Sequence, residues 1–299
     1  MNMENFNLTE SKRTRLCVVL TYFNRKEKTL ACFRALSRAA LPNTLDLSAV
    51  VIDDGSTDGT ADLLFLEFPW VQVIRSSGNL YWARGMHQAI QVAMQSDYDF
   101  YLWLNDDTML YADALSRLLD CEAVLGRKGN SPVIVVGSTV DENTGLVTYG
   151  GELRVSRIRK MRFKRIKPSD VAQTCESMNG NTVLISRNAL QIVGNVEAAF
   201  EHAMGDTDYA LRANKSGVGV WVAPGVHGTC SGNSVAGTYM DDSLALGRRW
   251  RLMMSRKGLP WRSWLILTRR HAGLAWPLYF VWPYLSLLLG QYRSIAKPQ

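Results

Sequence analysis

The stretch Tyr101-Leu102-Trp103-Leu104-Asn105-Asp106-Asp107-Thr108 runs from an apolar, aromatic segment straight into two adjacent carboxylates. Residues 100–104 have the continuous apolar character of a strand buried on both faces. A strand that ends in Asn-Asp-Asp sets oxygen ligands at the rim of a sheet. Hard divalent cations take oxygen ligands, and Mg²⁺ is commonly held by one or two carboxylates plus substrate phosphates. The same polar residues also suit a turn that caps the next helix. What surrounds the stretch decides between the two.

Upstream, residues 16–21 read as a short buried strand and 25–40 as a helix with apolar positions at Leu30, Cys32, Phe33 and Leu36, stopped at Pro42-Asn43. A second strand, 48–52, ends in Asp53-Asp54-Gly55-Ser56. A helix over 57–68 follows, capped by Ser56 or Thr57. Then come a strand at 71–74, a turn through Gly78-Asn79 and a helix over 80–95. This alternation predicts a parallel α/β sheet. Ligands of such sheets bind outside the carboxyl ends of the strands. Thr21 to Asn24, Asp53-Asp54 and Asp106-Asp107 all fall at strand carboxyl ends, and three polar clusters on one rim argue for a site rather than three unrelated turns.

Downstream, helices are expected over 112–125, 187–193 and 206–216, strands over 132–138, 181–186 and 218–222, and a hairpin arm over 145–153. Residues 154–167 hold eight Lys/Arg in fourteen positions. They could grip a diphosphate or a membrane surface, or form a solvated loop.

The net charge of +7 is concentrated in the tail: residues 243–299 contain ten Lys/Arg and no acidic residue, while the first 242 residues net −3. That asymmetry argues against a general nucleic-acid binder and for a localised anionic partner. Five of the nine tryptophans lie after residue 249, and residues 272–292 carry no charge. Trp and Tyr favour the membrane interface, and each Lys/Arg near anionic lipid contributes about 1 kcal/mol. Pro277 and Pro283 disfavour a straight spanning helix, so the expectation is an interfacial segment, the alternative being a helical hairpin that covers the sheet or an oligomer interface. The five cysteines are odd in number and widely spaced, giving neither a disulfide framework nor a zinc site. Residues 1–15 are polar and lack the apolar core of a secretory signal.

Five motifs in order, LTYFNR, VVIDDGSTDGT, GNLYWARG, LWLNDDT and GDTDYALRA followed by His227, resemble the inverting glycosyltransferases of family 2, in particular the rhamnosyltransferase-like transferases of bacterial cell-surface polysaccharides. The resemblance covers residues 16–234. It implies a GT-A fold, a Rossmann-like, mostly parallel sheet flanked by helices, to which this chain adds a basic, Trp-rich helical region. It divides residues 16–242 into a nucleotide-sugar half (16–107) and an acceptor half (108–242), and composition adds a disordered extension (1–15) and a membrane-associating region (243–299).

By resemblance, Thr21, Phe23 and Asp54 line the base pocket with Asp53 beside it, and Asn24, Arg25 and Asn79 belong to the same donor motifs. Arg84 is either a diphosphate contact or an exposed helix arginine. Asp107 binds a divalent cation, Mg²⁺ or Mn²⁺, with Asp106 on ribose or metal. Asn105 stands where the family's Asp-x-Asp has its first carboxylate. Asp206 is the implied catalytic base. His227 is either a metal ligand or structural. Asn179 and Gly180 fall in the acceptor segment, Trp82 either stacks on a sugar or joins the core, and Asp208 is an acceptor contact or a helix-terminal charge. The implied activity is metal-dependent, inverting transfer from a nucleotide diphosphate sugar, UDP or dTDP by expectation, to a polysaccharide or lipid-linked acceptor at the cytoplasmic face of the inner membrane, with no nucleic-acid partner and homo-oligomerisation left open. The alternatives are a non-catalytic sugar- or nucleotide-binding protein of the same fold, and a sugar nucleotidyltransferase. The latter needs a Gly-rich phosphate loop after the first strand, and residues 21–25 contain no glycine.

Overall fold

The computed structural model describes residues 13–42, 44–290 and 292. Residues 1–12 of the expected extension and Asn43 of the expected helix stop lie outside them. The first half runs β1 (Thr14–Tyr22), α1 (Lys26–Ser37), β2 (Leu45–Asp53), α2 (Thr60–Glu67), β3 (Val71–Arg75), α3 (Tyr81–Ala93), β4 (Phe100–Leu104), β5 (Met109–Leu110) and α4 (Ala114–Arg127). Short strands follow: β6 (Val133–Val136), β7 (Thr139–Val140), β8 (Val147–Tyr149), β9 (Gly151–Arg154), β10 (Phe163–Arg165), β11 (Gln173–Thr174), β12 (Ser177–Met178) and β13 (Thr182–Ser186). The chain continues through α5 (Arg187–Val193), α6 (Gly205–Lys215), β14 (Gly219–Val222), β15 (Gly228–Thr229), α7 (Leu246–Met253), α8 (Trp261–His271) and α9 (Trp276–Leu288).

Eight strands form the central sheet in the order β11-β14-β6-β13-β4-β1-β2-β3. β3, β2, β1 and β4 are parallel neighbours, β14 is parallel to β6, and β13 and β11 run antiparallel to their neighbours. The sheet is therefore mixed but mostly parallel, flanked by helices as the GT-A fold requires. β1 explains why the strands read as unbroken apolar runs. Leu16, Val18 and Leu20 pack on one face with Phe33 of α1, Leu64 of α2 and Leu118 of α4. Cys17 and Val19 pack on the other with Met86 and Ile90 of α3 and Tyr209 of α6. Each such fully buried side chain contributes roughly 1.5–3 kcal/mol.

Two sequence expectations shift. Strand β1 starts at Thr14, inside the expected extension. Helix α2 starts at Thr60 rather than Thr57, because Gly59 takes φ +80° and the Asp58 carboxylate accepts both the Thr60 N–H (3.1 Å) and its hydroxyl (2.6 Å).

Helices α8 and α9 of the basic tail fold onto the body. Trp264 and Leu267 of α8 and Leu287 of α9 join the apolar cluster of α3 and α6. Trp264 Nε1 donates to the carbonyls of Tyr279 and Phe280, both at 3.2 Å. The uncharged segment splits into a 3₁₀ turn (Gly273–Ala275) and α9, whose 13 residues reach about 20 Å at ~1.5 Å each. Among the described residues no helix is long and apolar enough to cross a membrane.

Candidate active site

The parallel registers Tyr22↔Asp53 and Val19↔Trp103 bring the carboxyl ends of β1, β2 and β4 to one rim. The loops there are tied to one another. Asn24 (φ +47°) donates its N–H to Ser56 Oγ at 2.9 Å, and its side-chain oxygen accepts the Thr57 N–H at 2.8 Å. Asp53 Oδ1 accepts the Ser56 N–H at 2.7 Å. Asp54 receives the N–H groups of Leu80 and Tyr81, each at 2.9 Å, and the Ser76 hydroxyl at 3.1 Å. Its carboxylate thus holds the start of α3, where Asn79 and Tyr81 sit at φ +69° and +60°. A tyrosine there is a strained backbone, fixed from outside by Arg256, which donates to the Tyr81 hydroxyl at 2.6 Å. Thr21 is buried, donates to the Ile52 carbonyl at 3.1 Å, and lies so close to α3 that a Cβ on Gly85 would come within 2.5 Å of its hydroxyl. Its side chain therefore belongs to β1–α3 packing. Phe23 is exposed.

At the end of β4, one guanidinium bridges both carboxylates: Arg25 Nη1 lies 2.9 Å from Asp106 Oδ1 and 3.0 Å from Asp107 Oδ2. Asp106 is buried and its second oxygen has no partner. Burial, helped by the Asp107 charge and opposed by Arg25, pushes its carboxyl up to about 6. Asn105 Oδ1 accepts the Trp82 indole N–H at 2.9 Å. The half-buried Trp82 ring meets Trp103 edge-on at 6.2 Å and covers Gly180 so tightly that a Cβ there would come within 2.4 Å of it. Trp82 therefore packs on the core while its indole N–H ties it to Asn105.

Asp206 stands in the first turn of α6, after Met204 at φ +76°. Its two oxygens accept the N–H groups of Thr207 (2.8 Å) and Gly180 (3.1 Å). Burial raises its pKa and these two donors oppose the rise. Asp206, Gly180, Trp82 and Asn105 thus form one contiguous chain that reaches the Asp106-Asp107 pair. Asn179 donates its N–H to the Gly150 carbonyl at 3.0 Å, and its side-chain oxygen is buried without a partner.

Asp208 and Arg84 bond to other parts of the protein, and His227 is enclosed in it. Asp208 is wholly buried and bound by His271 Nε2 (2.9 Å), Arg212 Nε (2.8 Å) and Arg270 (3.3 Å). Burial works against its charge, but the His271 and Arg212 hydrogen bonds prevail and hold its pKa below the ordinary carboxylate value. It anchors α8 to α6 and offers no acceptor contact. Arg84 pairs with Glu201 at 3.4 Å and donates to the Ala198 carbonyl at 3.3 Å. His227 is fully buried, with neither ring nitrogen partnered and its pKa depressed by burial to about 4. Among the described residues no group of three or more His, Cys, Asp or Glu side chains is placed to hold a metal ion.

Two residues at the site were not anticipated. The Cys230 thiol lies 3.5 Å from Asp107 Oδ1 and accepts from Asn181 Nδ2 at 3.5 Å. Glu152 stands on β9 directly opposite Ser177 of β12 and Arg165 of β10. Directly opposed residues share a sheet face, and the Ser177 hydroxyl reaches Thr207 of α6 at 3.4 Å. Burial and then the charge of Asp206 push Glu152 up to about 7, against Arg165 and the Ser177 hydroxyl. Neither residue lies in a motif, and neither has a sequence signal; sheet register alone brings Glu152 to α6.

The adjacent carboxylates of Asp106 and Asp107, with one buried oxygen unpartnered, fit a cation completed by substrate phosphates, the usual Mg²⁺ arrangement. They do not form a closed protein cage.

A family model described as glycosyl transferase family 2 matches residues 17–181. Uncharacterised proteins of Mycobacterium bovis and Mycobacterium tuberculosis are 24% identical over 167 residues, 54% of this chain and 58% of theirs, so the match spans little more than half the length of those relatives. Among solved structures, a mannosyltransferase of Pyrobaculum calidifontis in complex with GDP-mannose and Mn²⁺ superposes with TM-score 0.54 at 17% identity, covering 92% of this chain and 70% of that one. GalNAc-T7 with UDP, GalNAc and Mn²⁺ gives 0.55 at 15% identity over 72% of this chain and 43% of that one. Residues 1–349 of TarS from S. aureus give 0.52 at 13% identity over 91% and 73%.

Proposed function

Because the chain belongs to glycosyl transferase family 2, we propose that it transfers one sugar, with inversion, from a nucleotide diphosphate sugar to a hydroxyl of a polysaccharide or lipid-linked oligosaccharide at the cytoplasmic face of a bacterial inner membrane. The observation that carries this reading is the contiguous chain from Asp206 through Gly180, Trp82 and Asn105 to Asp106-Asp107. It sets a single oriented carboxylate across from a carboxylate pair suited to a metal–diphosphate, which is the division of labour an inverting displacement needs.

In this reading Phe23, exposed at the rim, packs on the base, while Asn24, Asp53 and Asp54 fix the loops around it. Asp206 Oδ accepts the proton of the acceptor hydroxyl while that oxygen bonds to the anomeric carbon. The bond from that carbon to the diphosphate oxygen breaks on the opposite face, and the nucleoside diphosphate departs with the electron pair. The N–H donors of Thr207 and Gly180 hold Asp206 ionised and oriented, and its raised pKa makes it a better base than a surface aspartate. Trp82 shields the acceptor side from water. Asp107 and Asp106 would hold a divalent cation, which when bound neutralises charge on the departing diphosphate. UDP, dTDP and GDP sugars remain the donors to compare, since the structural neighbours were solved with GDP-mannose or UDP and Mn²⁺.

A thermal-shift panel of UDP, dTDP, GDP and CMP sugars, with and without Mn²⁺ or Mg²⁺, tests the donor site. The expected result is a metal-dependent rise in Tm with one nucleotide, abolished in Asp107→Ala, because a ligand that binds only the native state stabilises it. A rise that persists without metal, or that survives Asp107→Ala, places the cation elsewhere. No rise with any donor sinks the reading.

A further inference from the structure

Helix α9 is apolar on both faces. Its inner face, with Tyr284 and Leu287, packs into the body. Its outer face carries Leu278, Val281, Trp282 and Leu285, all exposed, and the turn before it carries Leu274, whose side chain is fully exposed. A helix apolar all round is normally covered on every side, and contiguous exposed apolar surface rimmed by polar groups marks an interaction site.

The basic segment of residues 154–167, remote in sequence, joins this face. The Tyr279 hydroxyl bonds to the Ile158 carbonyl, and Lys160 Nζ reaches the Ala272 carbonyl at 3.3 Å. These contacts seat the β9–β10 hairpin against the start of α9. At the hairpin tip Ile158 is 83% exposed, flanked by exposed Arg157 and Arg159. Arg262 and Arg269 of α8, also exposed, stack over Trp261 and Trp276 at 5.3 and 5.6 Å. The result is an exposed apolar face joined by exposed arginines of the hairpin tip and of α8, in a tail with no acidic residue after Asp242.

We propose that the α9 outer face and the β9–β10 hairpin tip together form one docking surface for an anionic lipid bilayer, on which the protein lies without spanning it. Trp282 and the leucines enter the headgroup boundary, and the arginines pair with lipid phosphates. Charge selects this occupant over a second copy of the chain. A two-fold contact would set the same patch against itself and bring its exposed arginines toward their own copies at an energetic cost. The surface also bears on the acceptor side, since β9 runs from the hairpin back to Glu152 beside α6. The proposal is independent of the transfer chemistry.

The test is flotation of the full chain with vesicles of equimolar phosphatidylglycerol and phosphatidylcholine, and with phosphatidylcholine alone, alongside sedimentation velocity without lipid. The expected result is binding to the anionic vesicles only. Binding should fall about tenfold or more in the triple variant Ile158→Glu, Leu278→Glu, Trp282→Glu, and become salt-insensitive and weak in Arg157→Gln, Arg159→Gln, Arg269→Gln. All six side chains are exposed, so the far-UV spectrum, Tm and donor-induced thermal shift should match wild type; that shift reports separately on the proposed function. Wild-type-like vesicle binding by both variants overturns the proposal. So does a dimer that the apolar variant dissociates, in a protein that does not bind vesicles; the face would then be a self-interface.

Discussion

Two acidic clusters, Asn105-Asp106-Asp107 after β4 and Asp206-Thr207-Asp208 opening α6, look alike in sequence and are built in opposite ways. In the first, the two carboxylates act together: one arginine bridges both, and one buried oxygen stays unpartnered. In the second they are divided. Asp206 is held by two backbone N–H groups, while Asp208, two residues on, turns away, fully buried itself, to bond with His271, Arg212 and Arg270. Strand geometry ends the first cluster in a loop, where neighbouring side chains can converge. A helix turns each residue by about 100°, so Asp206 and Asp208 necessarily face different sides of α6. An acidic pair on a helix is two separate residues with two separate tasks.

The largest effect should come from the first member of that pair. Asp206→Asn keeps the shape and removes the base, so transfer should fall about 10²–10⁴-fold, with the donor-induced thermal shift retained. Transfer at near wild-type rate would break the comparison by removing Asp206 from the chemistry. Next in size is its buried neighbour. Asp208→Ala leaves His271, Arg212 and Arg270 without their shared anion, and losing one partner of a buried ion pair costs about 3–5 kcal/mol. Urea denaturation should show that loss. The sign with pH follows from the depressed pKa: the stabilisation is present above the ordinary carboxylate range and disappears as pH falls through the folded-state value. Asp208→Ala should therefore lose the most stability near neutrality and converge on wild type in acid. A variant as stable as wild type, but dead in transfer, would return Asp208 to the acceptor site.

A smaller effect tests the bridge between the clusters. Gly180→Ala would drive a methyl into the Trp82 ring. Overpacking of this kind costs about 1–3 kcal/mol, and displacing Trp82 also breaks its bond to Asn105. The expected signature is a raised KM for acceptor with donor binding little changed. An unchanged KM would mean that Trp82 can move without consequence.

The sheet and its polar rim were legible because buried parallel strands announce themselves as apolar runs, and their ends as the polar residues that stop them. That reading set Thr21 to Asn24, Asp53-Asp54 and Asp106-Asp107 on one rim, and only the family resemblance added Arg25, Asn105, Gly180 and Asp206 to it. It was blind to direction. Asp54 and Thr21 sit at the rim, yet one caps α3 and the other packs beneath it, distinctions made by hydrogen bonds between distant segments. Asp208 and His227 could not be assigned because their surroundings come from chain far away, α8 for one and the ends of β6 and β13 for the other. The tail was read as basic and aromatic, and either buried or interfacial. The structure makes one face of α9 core and leaves the other exposed, which composition alone cannot divide.

Glu152 was invisible for the same reason, and it supplies the smallest and most discriminating test. Its neighbours across the packed elements are Asp206 on α6, Arg165 on β10 and the Ser177 hydroxyl on β12, and its pKa stands at about 7 against an ordinary 4.5. The folded chain therefore keeps a proton that the unfolded chain gives up, between about 4.5 and about 7. Stability must fall as pH rises through that window, because there the folded state binds more protons. Glu152→Gln should remove this slope and leave the variant more stable than wild type above pH 7, by something of the order of 1–3 kcal/mol, read from Tm at a series of pH values. In transfer assays the two carboxylates should titrate as a pair. The lower ionisation, required for the base, should persist in Glu152→Gln, and the upper one, near neutrality, should vanish. A variant with both ionisations and the wild-type slope would show that Glu152 does not sense Asp206. If the upper ionisation alone is lost, the second carboxylate that matters to the base is Glu152, brought from another strand, and not Asp208, its neighbour in sequence.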